Sequence, residues 1–299
     1  MGKNSDNAAI TIGVFDGVHL GHQYLINNLM QRAKTLGISS GIVSFNPHPI
    51  TIVTNEHKFN YIQPLSERIN ELKKTGIDFI SIIEFTNELS QLSAIEFLKF
   101  LKQKINYKLL IVGNGFTIGK DREGDLSELK RIAEELDFQV IEVPLKKDSI
   151  NFFSSSMIRK YLLSGQISHA NKILGRHFMI SGICQKGDQR GRMLGFPTIN
   201  IHVPNNHILP KKGVYYTKTL LGNEYFFSIT NVGTRPTFDK DEILVESHLF
   251  DYNKDAYDKK TEIFFYEFIR GEIKFSSEQE LIEQINADII IAKKNIIKE

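Results

Sequence analysis

Residues 13–22 read GVFDGVHLGH, which sets His19 and His22 in the spacing H-x-G-H. An apolar run with Ala9, Ile10 and Ile12 comes before it, and an amphipathic run with Leu25, Leu29, Ala33 and Leu36 on one face follows. This is a strand, a glycine-rich turn and a helix start. A helix N-terminus offers unpaired N–H groups and the positive end of its dipole, so it suits phosphate. Gly17 and Gly21 permit close backbone approach, and two imidazoles can donate hydrogen bonds to phosphate oxygens. The chemistry expected here is the binding of a nucleoside triphosphate. Asp16 reads equally well as a turn residue or as a ligand.

A second constellation lies at 187–200, GDQRGRMLGFPTIN. Gly187, Gly191 and Gly195 mark either a loop that approaches phosphates or a hairpin with ordinary turn glycines. Alternate residues of an extended segment face the same way, so Thr198 and Asn200 can offer oxygens to one magnesium ion. In VESHLFD at 245–251, the same alternation sets Glu246 and His248 on one strand face, opposite Val245, Ser247 and Leu249. A carboxylate on a core-facing side is costly without a task or a partner.

These residues must be held by two halves of different rhythm. Apolar runs at 9–14, 42–45, 79–83, 109–112 and 140–143 read as buried parallel strands. Helical patterns lie between them: Ser93 and Glu96 form a capping box before Phe97, Leu98 and Leu101, and Asp125 and Glu128 open a helix with Leu129, Ile132, Ala133 and Leu136 inward. Such alternation predicts an open, doubly wound sheet, with ligands beyond the strand C-termini, where 13–22 falls. Two short connector helices follow at 154–163 and 168–174, each begun by hydroxyl residues and stopped by Gly165 and Gly175. Strands at 178–184, 214–220, 225–230, 244–250 and 261–268 then predict an antiparallel barrel or sandwich, closed by a helix over 277–298 with Leu281, Ile285, Ile289 and Ala292 on its stripe.

Composition narrows the classes further. The chain has 299 residues, 41% hydrophobic and 24% charged, enough for two globular domains. A net charge of +2, with acids and bases interleaved, gives no reason to expect nucleic acid as a partner. Cys184 is the single cysteine, which excludes an internal disulfide and a cysteine-rich metal site. The start MGKNSDNAA lacks the apolar core of a signal peptide, and no later run reaches membrane-spanning length. The expectation is a cytoplasmic protein with small-molecule partners and no membrane partner, as a monomer or weak homo-oligomer.

The whole 13–22 string after a strand resembles the HIGH-type nucleotidyltransferases, and more narrowly the bacterial bifunctional riboflavin kinase/FMN adenylyltransferases (FAD synthetases of the prokaryotic type). Supporting stretches are FNPHP at 45–49, SSSMIR at 154–159, the 187–200 string, the V-E-x-H stretch at 245–248, NVGTRPTF at 231–238 and FIRGEIKF at 268–275. The resemblance covers nearly all of the chain. It implies an α/β fold: a Rossmann-like doubly wound parallel sheet, then an antiparallel β-barrel riboflavin kinase domain with a C-terminal helix. The domains expected are 1–176 for adenylyl transfer, including connector helices 154–175, and 177–299 for the kinase.

The function implied is FAD synthesis: riboflavin phosphorylated to FMN with ATP, then AMP transferred from ATP to FMN, releasing pyrophosphate. His19, His22 and Arg159 would act on the triphosphate, with Gly13, Phe15, Asp16, Ser155 and Ser156 lining the nucleotide. Gly187, Gly191, Thr198 and Asn200 would hold the kinase's ATP, Thr198 and Asn200 with Mg2+, and Glu246 would be the base. Asn46, His48, Phe116, Arg235 and Arg270 would meet flavin. For His48 the alternative is a rigid loop, for Arg235 a structural ion pair, and His248 reads as a structural neighbour. The resemblance departs at 113–119, where the family pattern G-x-D-F-x-F-G meets Gly115 for the acid and Ile118 for the second aromatic. Two alternatives follow: an enzyme with only one half active, or a flavin- and nucleotide-binding regulator without turnover.

Overall fold

A computed structural model describes residues 7–55, 59–144, 153–185, 190–204, 206–236 and 241–296. The chain divides into two compact units, Met1–Ser155 and Ser156–Glu299.

The first unit runs β1 (Ala8–Ile12), α1 (Leu20–Leu36), β2 (Ser39–Asn46), α2 (Pro49–Val53), α3 (Leu65–Lys74), β3 (Phe79–Glu84), α4 (Asn87–Ser90), α5 (Ala94–Lys104), β4 (Tyr107–Gly113), α6 (Leu126–Glu135) and β5 (Gln139–Val143). Its sheet has the order β3-β2-β1-β4-β5, and every pairing is parallel. Successive side chains of β1 serve opposite faces, as strand geometry requires. Ile10 and Ile12 join Phe97, Leu98, Leu129 and Ile132 on one side; Ala9 joins Ile26, Leu29 and Leu72 on the other. The sheet is therefore doubly wound. Ser93 makes both halves of the expected capping box, and Asp125 caps α6.

Two details differ from the sequence reading. The stripe of α1 is Ile26, Leu29 and Ala33, whereas Leu36 is 55% exposed, because the helix ends there at left-handed Gly37. Helix α3 is not among the expected helices, although Leu65, Ile69 and Leu72 recur at helical spacing; it buries Arg68 together with Leu72.

The second unit takes up α7 (Ser155–Leu163), then α8 (Ile167–Leu174), β6 (Phe178–Gln185), α9 (Arg190–Met193), β7 (Ile199–His202), β8 (Gly213–Leu221), β9 (Glu224–Pro236), β10 (Asp241–Leu249), β11 (Lys260–Arg270) and α10 (Glu278–Ile296). The strands close into an antiparallel barrel, β10-β7-β6-β11-β8-β9, which decides between barrel and sandwich. Helix α8 starts at Ile167, one residue before the expected Ser168, and its N-cap Gln166 makes no side-chain cap. The strand expected at 225–230 runs on to Pro236 as β9.

The barrel wall has two faces. On one, Thr217, Thr219, Ser228, Thr230 and Ser247 are all fully buried and hydrogen-bond to one another at 2.7–3.3 Å. Hydroxyls that both donate and accept can satisfy each other without water. On the other face, Ile285, Ile289 and Ala292 of α10 pack on Val214, Tyr216 and Ile229. Cys184 is buried beside Thr261, and burial pushes its thiol pKa up. No helix among the described residues is long and apolar enough to cross a membrane.

His207 is 3% exposed, and burial pushes its pKa down to about 4. The unfolded chain takes up this proton first, so the stability present above pH 6.5 is lost as pH falls toward 4, by about 3 kcal/mol. Denaturant unfolding of the wild type and His207→Asn should show the difference between them shrinking from pH 7 to pH 4.5. A difference independent of pH would contradict this account.

Candidate active site

The turn between β1 and α1 is backbone under strain. Phe15, Gly17 and Val18 have φ of 57°, 83° and 36°, all in the left-handed region. For the two non-glycines this costs about 1–3 kcal/mol each, so the surroundings must impose it. Phe15 and Val18 are buried, and the Asp16 carboxylate accepts hydrogen bonds from the N–H groups of Ile62 (3.0 Å) and Gln63 (3.1 Å). The Asp16 carbonyl accepts the Ser155 hydroxyl at 2.7 Å. Asp16 thus faces inward as a tie for the turn.

His19 is the N-cap of α1. Its Nδ1 accepts from the N–H groups of Gly21 (3.1 Å) and His22 (3.3 Å). A ring nitrogen that accepts carries no proton, so the neutral ring holds its proton on Nε2 and has a donor to offer there. The His19 ring stacks on His22 at 3.7 Å between centroids, and Phe15 meets His22 edge-on at 5.1 Å. A cleft of about 250 Å³ opens at this helix start, lined by His19, His22, Gly113, Val143, Phe153 and Ser155. Gly113, at the end of β4, faces Val143 in register. Ser156 and Arg159 lie on α7 within the second unit.

Asn46 ends β2, and the chain turns into α2 with His48 as its N-cap. The His48 N–H donates to the Tyr61 hydroxyl at 2.7 Å, and its ring packs on Phe59 at 4.0 Å. His48 is therefore built into an aromatic loop next to the segment that Asp16 holds. Phe116 is half-buried against the core on the α5 side of the sheet. Gly115, in the place of the expected acid, has φ 75° and open space where a Cβ would stand.

In the second unit a cleft of about 490 Å³ runs between the outer barrel wall and α10, lined by Thr198, Asn200, Asn231, Glu246, His248 and Arg270 among others. Glu246 of β10 pairs with Asn200 of β7 on one side and Asn231 of β9 on the other. One rung across three strands thus carries a carboxylate between two amides. His248 Nδ1 bonds the Pro197 carbonyl at 2.8 Å, so Nδ1 carries the proton; burial lowers the ring's pKa and keeps it neutral near pH 7.

Arg270 is held by Asp288, which is 1% exposed. Its Nε and NH2 reach that carboxylate at 2.8–3.0 Å, and NH1 donates to the Gly271 carbonyl. Gly191 accepts from the Phe196 N–H at 2.8 Å, and a Cβ on it would meet the Phe196 oxygen at 2.5 Å. Gly187 and the Arg235 side chain lie outside the described residues. Sequence reasoning missed Asn231, Asp288, Tyr61 and Arg68. The signal for Asp288 was a lone acid on the apolar stripe of α10.

The strained, histidine-capped turn on a parallel sheet and the carboxylate rung on a closed barrel define a two-site enzyme of nucleotide chemistry. The FAD synthetase family model matches residues 2–157, and the riboflavin kinase family model matches residues 174–296. The chain belongs to the bifunctional riboflavin kinase/FMN adenylyltransferase family. A relative of that name from Buchnera aphidicola subsp. Schizaphis graminum is 41% identical over 98% of this chain and 95% of its own length. One from Listeria monocytogenes is 32% identical over 94% and 90%. A crystal structure of a Streptococcus pneumoniae protein described as a macrolide-efflux protein superposes with a TM-score of 0.91 at 29% identity, covering 98% of this chain and 95% of that one.

Gly21 tests the first site. A Cβ there would meet the His19 ring at 3.0 Å and the Phe153 carbonyl oxygen at 3.2 Å. Gly21→Ala should displace the ring and cost about 1–2 kcal/mol of stability with the lost cap. Denaturant unfolding and the imidazole nitrogen NMR shifts of His19 read this out. Unchanged stability with an unchanged Nδ1 shift would refute the capping role.

Proposed function

We propose that the chain makes FAD from riboflavin in two steps at two sites. The barrel transfers the γ-phosphoryl group of ATP to the ribityl 5′-hydroxyl of riboflavin, giving FMN and ADP. The sheet unit then joins an oxygen of the FMN phosphate to the α-phosphorus of a second ATP, breaking the α–β bridge and releasing pyrophosphate. The functional division is 1–176 for adenylyl transfer and 177–299 for the kinase, with Ser156 and Arg159 serving adenylyl transfer.

The sites differ because their nucleophiles differ. A phosphate oxygen is already anionic, so adenylyl transfer needs positioning and charge neutralisation rather than a base. His19, through Nε2–H, and His22 donate to the triphosphate at the α1 N-terminus; Gly13, Phe15 and Asp16 line it through backbone; Ser155, Ser156 and Arg159 hold phosphate oxygens. Asn46, His48 and Phe116 form the flavin side.

An alcohol must lose a proton as it attacks, and Glu246 receives it. Gly187 and Gly191 let the loop approach the kinase's ATP, while Arg235 and Arg270 border the flavin. The Thr198 hydroxyl and Asn200 amide supply oxygen donors on the Glu246 side of the cleft, which fits Mg2+ shared with the phosphates. When bound, that ion neutralises phosphate charge. We place the enzyme in the cytoplasm, as a monomer or weak homo-oligomer, with no nucleic-acid or membrane partner.

What supports the reading most is that each unit has its own cleft with the donor set its step requires. Incubation with riboflavin and MgATP, resolved by chromatography over time, should give FMN and then FAD. His22→Ala should reduce FAD formation at least 100-fold and leave FMN formation from riboflavin intact, while Glu246→Gln should lose FMN formation from riboflavin and keep FAD formation from supplied FMN. FMN without FAD from the wild type, or loss of both activities in either variant, would contradict the two-site reading.

A further inference from the structure

Arg68 is among the largest fully buried side chains of the described residues and belongs to none of the assigned site residues. It lies on α3, and one guanidinium nitrogen donates to the Phe45 carbonyl at 3.0 Å. Among the described residues its Nε and second terminal nitrogen have no hydrogen-bond acceptor. The guanidinium stands over the Tyr61 ring at 5.6 Å, and its counter-charge is the Asp16 carboxylate. Burial lowers its pKa, and Asp16 and Tyr61 oppose that. A buried cation with so few acceptors is a poor device for stability; an apolar residue of similar volume would avoid the desolvation cost.

Its two contacts and its charge partner each lead to a loop of the first site. The Phe45 carbonyl precedes Asn46 and His48. Tyr61 accepts the His48 N–H. Asp16 sits in the strained turn and also holds Ile62 and Gln63. The fork therefore ties the loop that faces flavin to Tyr61, whose neighbours Ile62 and Gln63 hold the turn that faces the triphosphate.

We propose that Arg68 is a positioning residue for adenylyl transfer, fixing the triphosphate turn against the 46–48 loop so that the FMN phosphate and the ATP α-phosphorus meet in line. This rests on the reading of the first unit as the adenylyltransferase. Misalignment of reacting groups by about 1 Å costs about 100-fold in rate, while binding contacts survive. The effect belongs in kcat.

The test uses the full chain with FMN and MgATP, at a temperature where thermal melts show the variants folded. Arg68→Lys keeps charge and length but loses the fork; it should lower kcat for FAD formation at least tenfold, with KM for FMN and for ATP within about threefold of wild type. FMN formation from riboflavin should be unchanged. The double variant Asp16→Asn/Arg68→Met leaves no lone buried charge, so it should recover stability relative to Arg68→Met without recovering kcat. An unchanged kcat in Arg68→Lys, or a kcat that returns together with stability in the double variant, would overturn the proposal. A wild type that makes no FAD from FMN would instead overturn the functional reading beneath it.

Discussion

A buried carboxylate must find donors, and each unit organises its cleft around one that does. Asp16 and Asp288 are 2% and 1% exposed. Leaving either charge without hydrogen-bond partners would cost several kcal/mol, so the chain around each is constrained to supply them. Asp16 draws in the 62–63 backbone and thereby fixes a turn with two left-handed non-glycines. That turn delivers His19 to the first residue before α1, where the cap it makes decides which of its nitrogens carries a proton. Asp288 does the corresponding work in the barrel by holding Arg270 at the cleft wall with a bidentate pair. In both places the acid itself faces inward, and its effect reaches the cleft through the group it holds.

The two clefts follow one chemical logic from opposite ends. In the proposed adenylyl transfer the attacking atom is already an anion, and what the step calls for is donors: a helix N-terminus, imidazole N–H and backbone. Under the proposed function, a neutral alcohol needs an acceptor, and Glu246 stands on the rung between Asn200 and Asn231. A neutral His248 two residues further on the same face fits that arrangement.

Local patterns made much of this legible in the sequence. The strand–turn–helix around His19, the Ser93 capping box and the alternation that sets Glu246 and His248 on one face each depend on residues a few positions apart, although that face is the outer barrel wall and not the core. The closing helix was readable too, from the stripe Leu281, Ile285, Ile289 and Ala292. What stayed hidden depends on distant partners. Closure of the barrel needs β7, only four residues long, to pair with both β6 and β10. Helix α3 carries its own stripe of Leu65, Ile69 and Leu72, but nothing local foretells that Arg68 is buried as well, because Phe45 and Tyr61 come from other segments. Leu36 looked like core until the helix was found to end beside it.

The central claim is that two independent sites act in sequence on one flavin, and mixing tests it most directly. Neither His22→Ala nor Glu246→Gln alone should convert riboflavin to FAD. Combined in one vessel with riboflavin and MgATP, they should produce FAD after a lag in which free FMN accumulates, since one variant supplies the product that the other consumes. A mixture that makes FMN but no FAD, with both variants folded, would contradict the account.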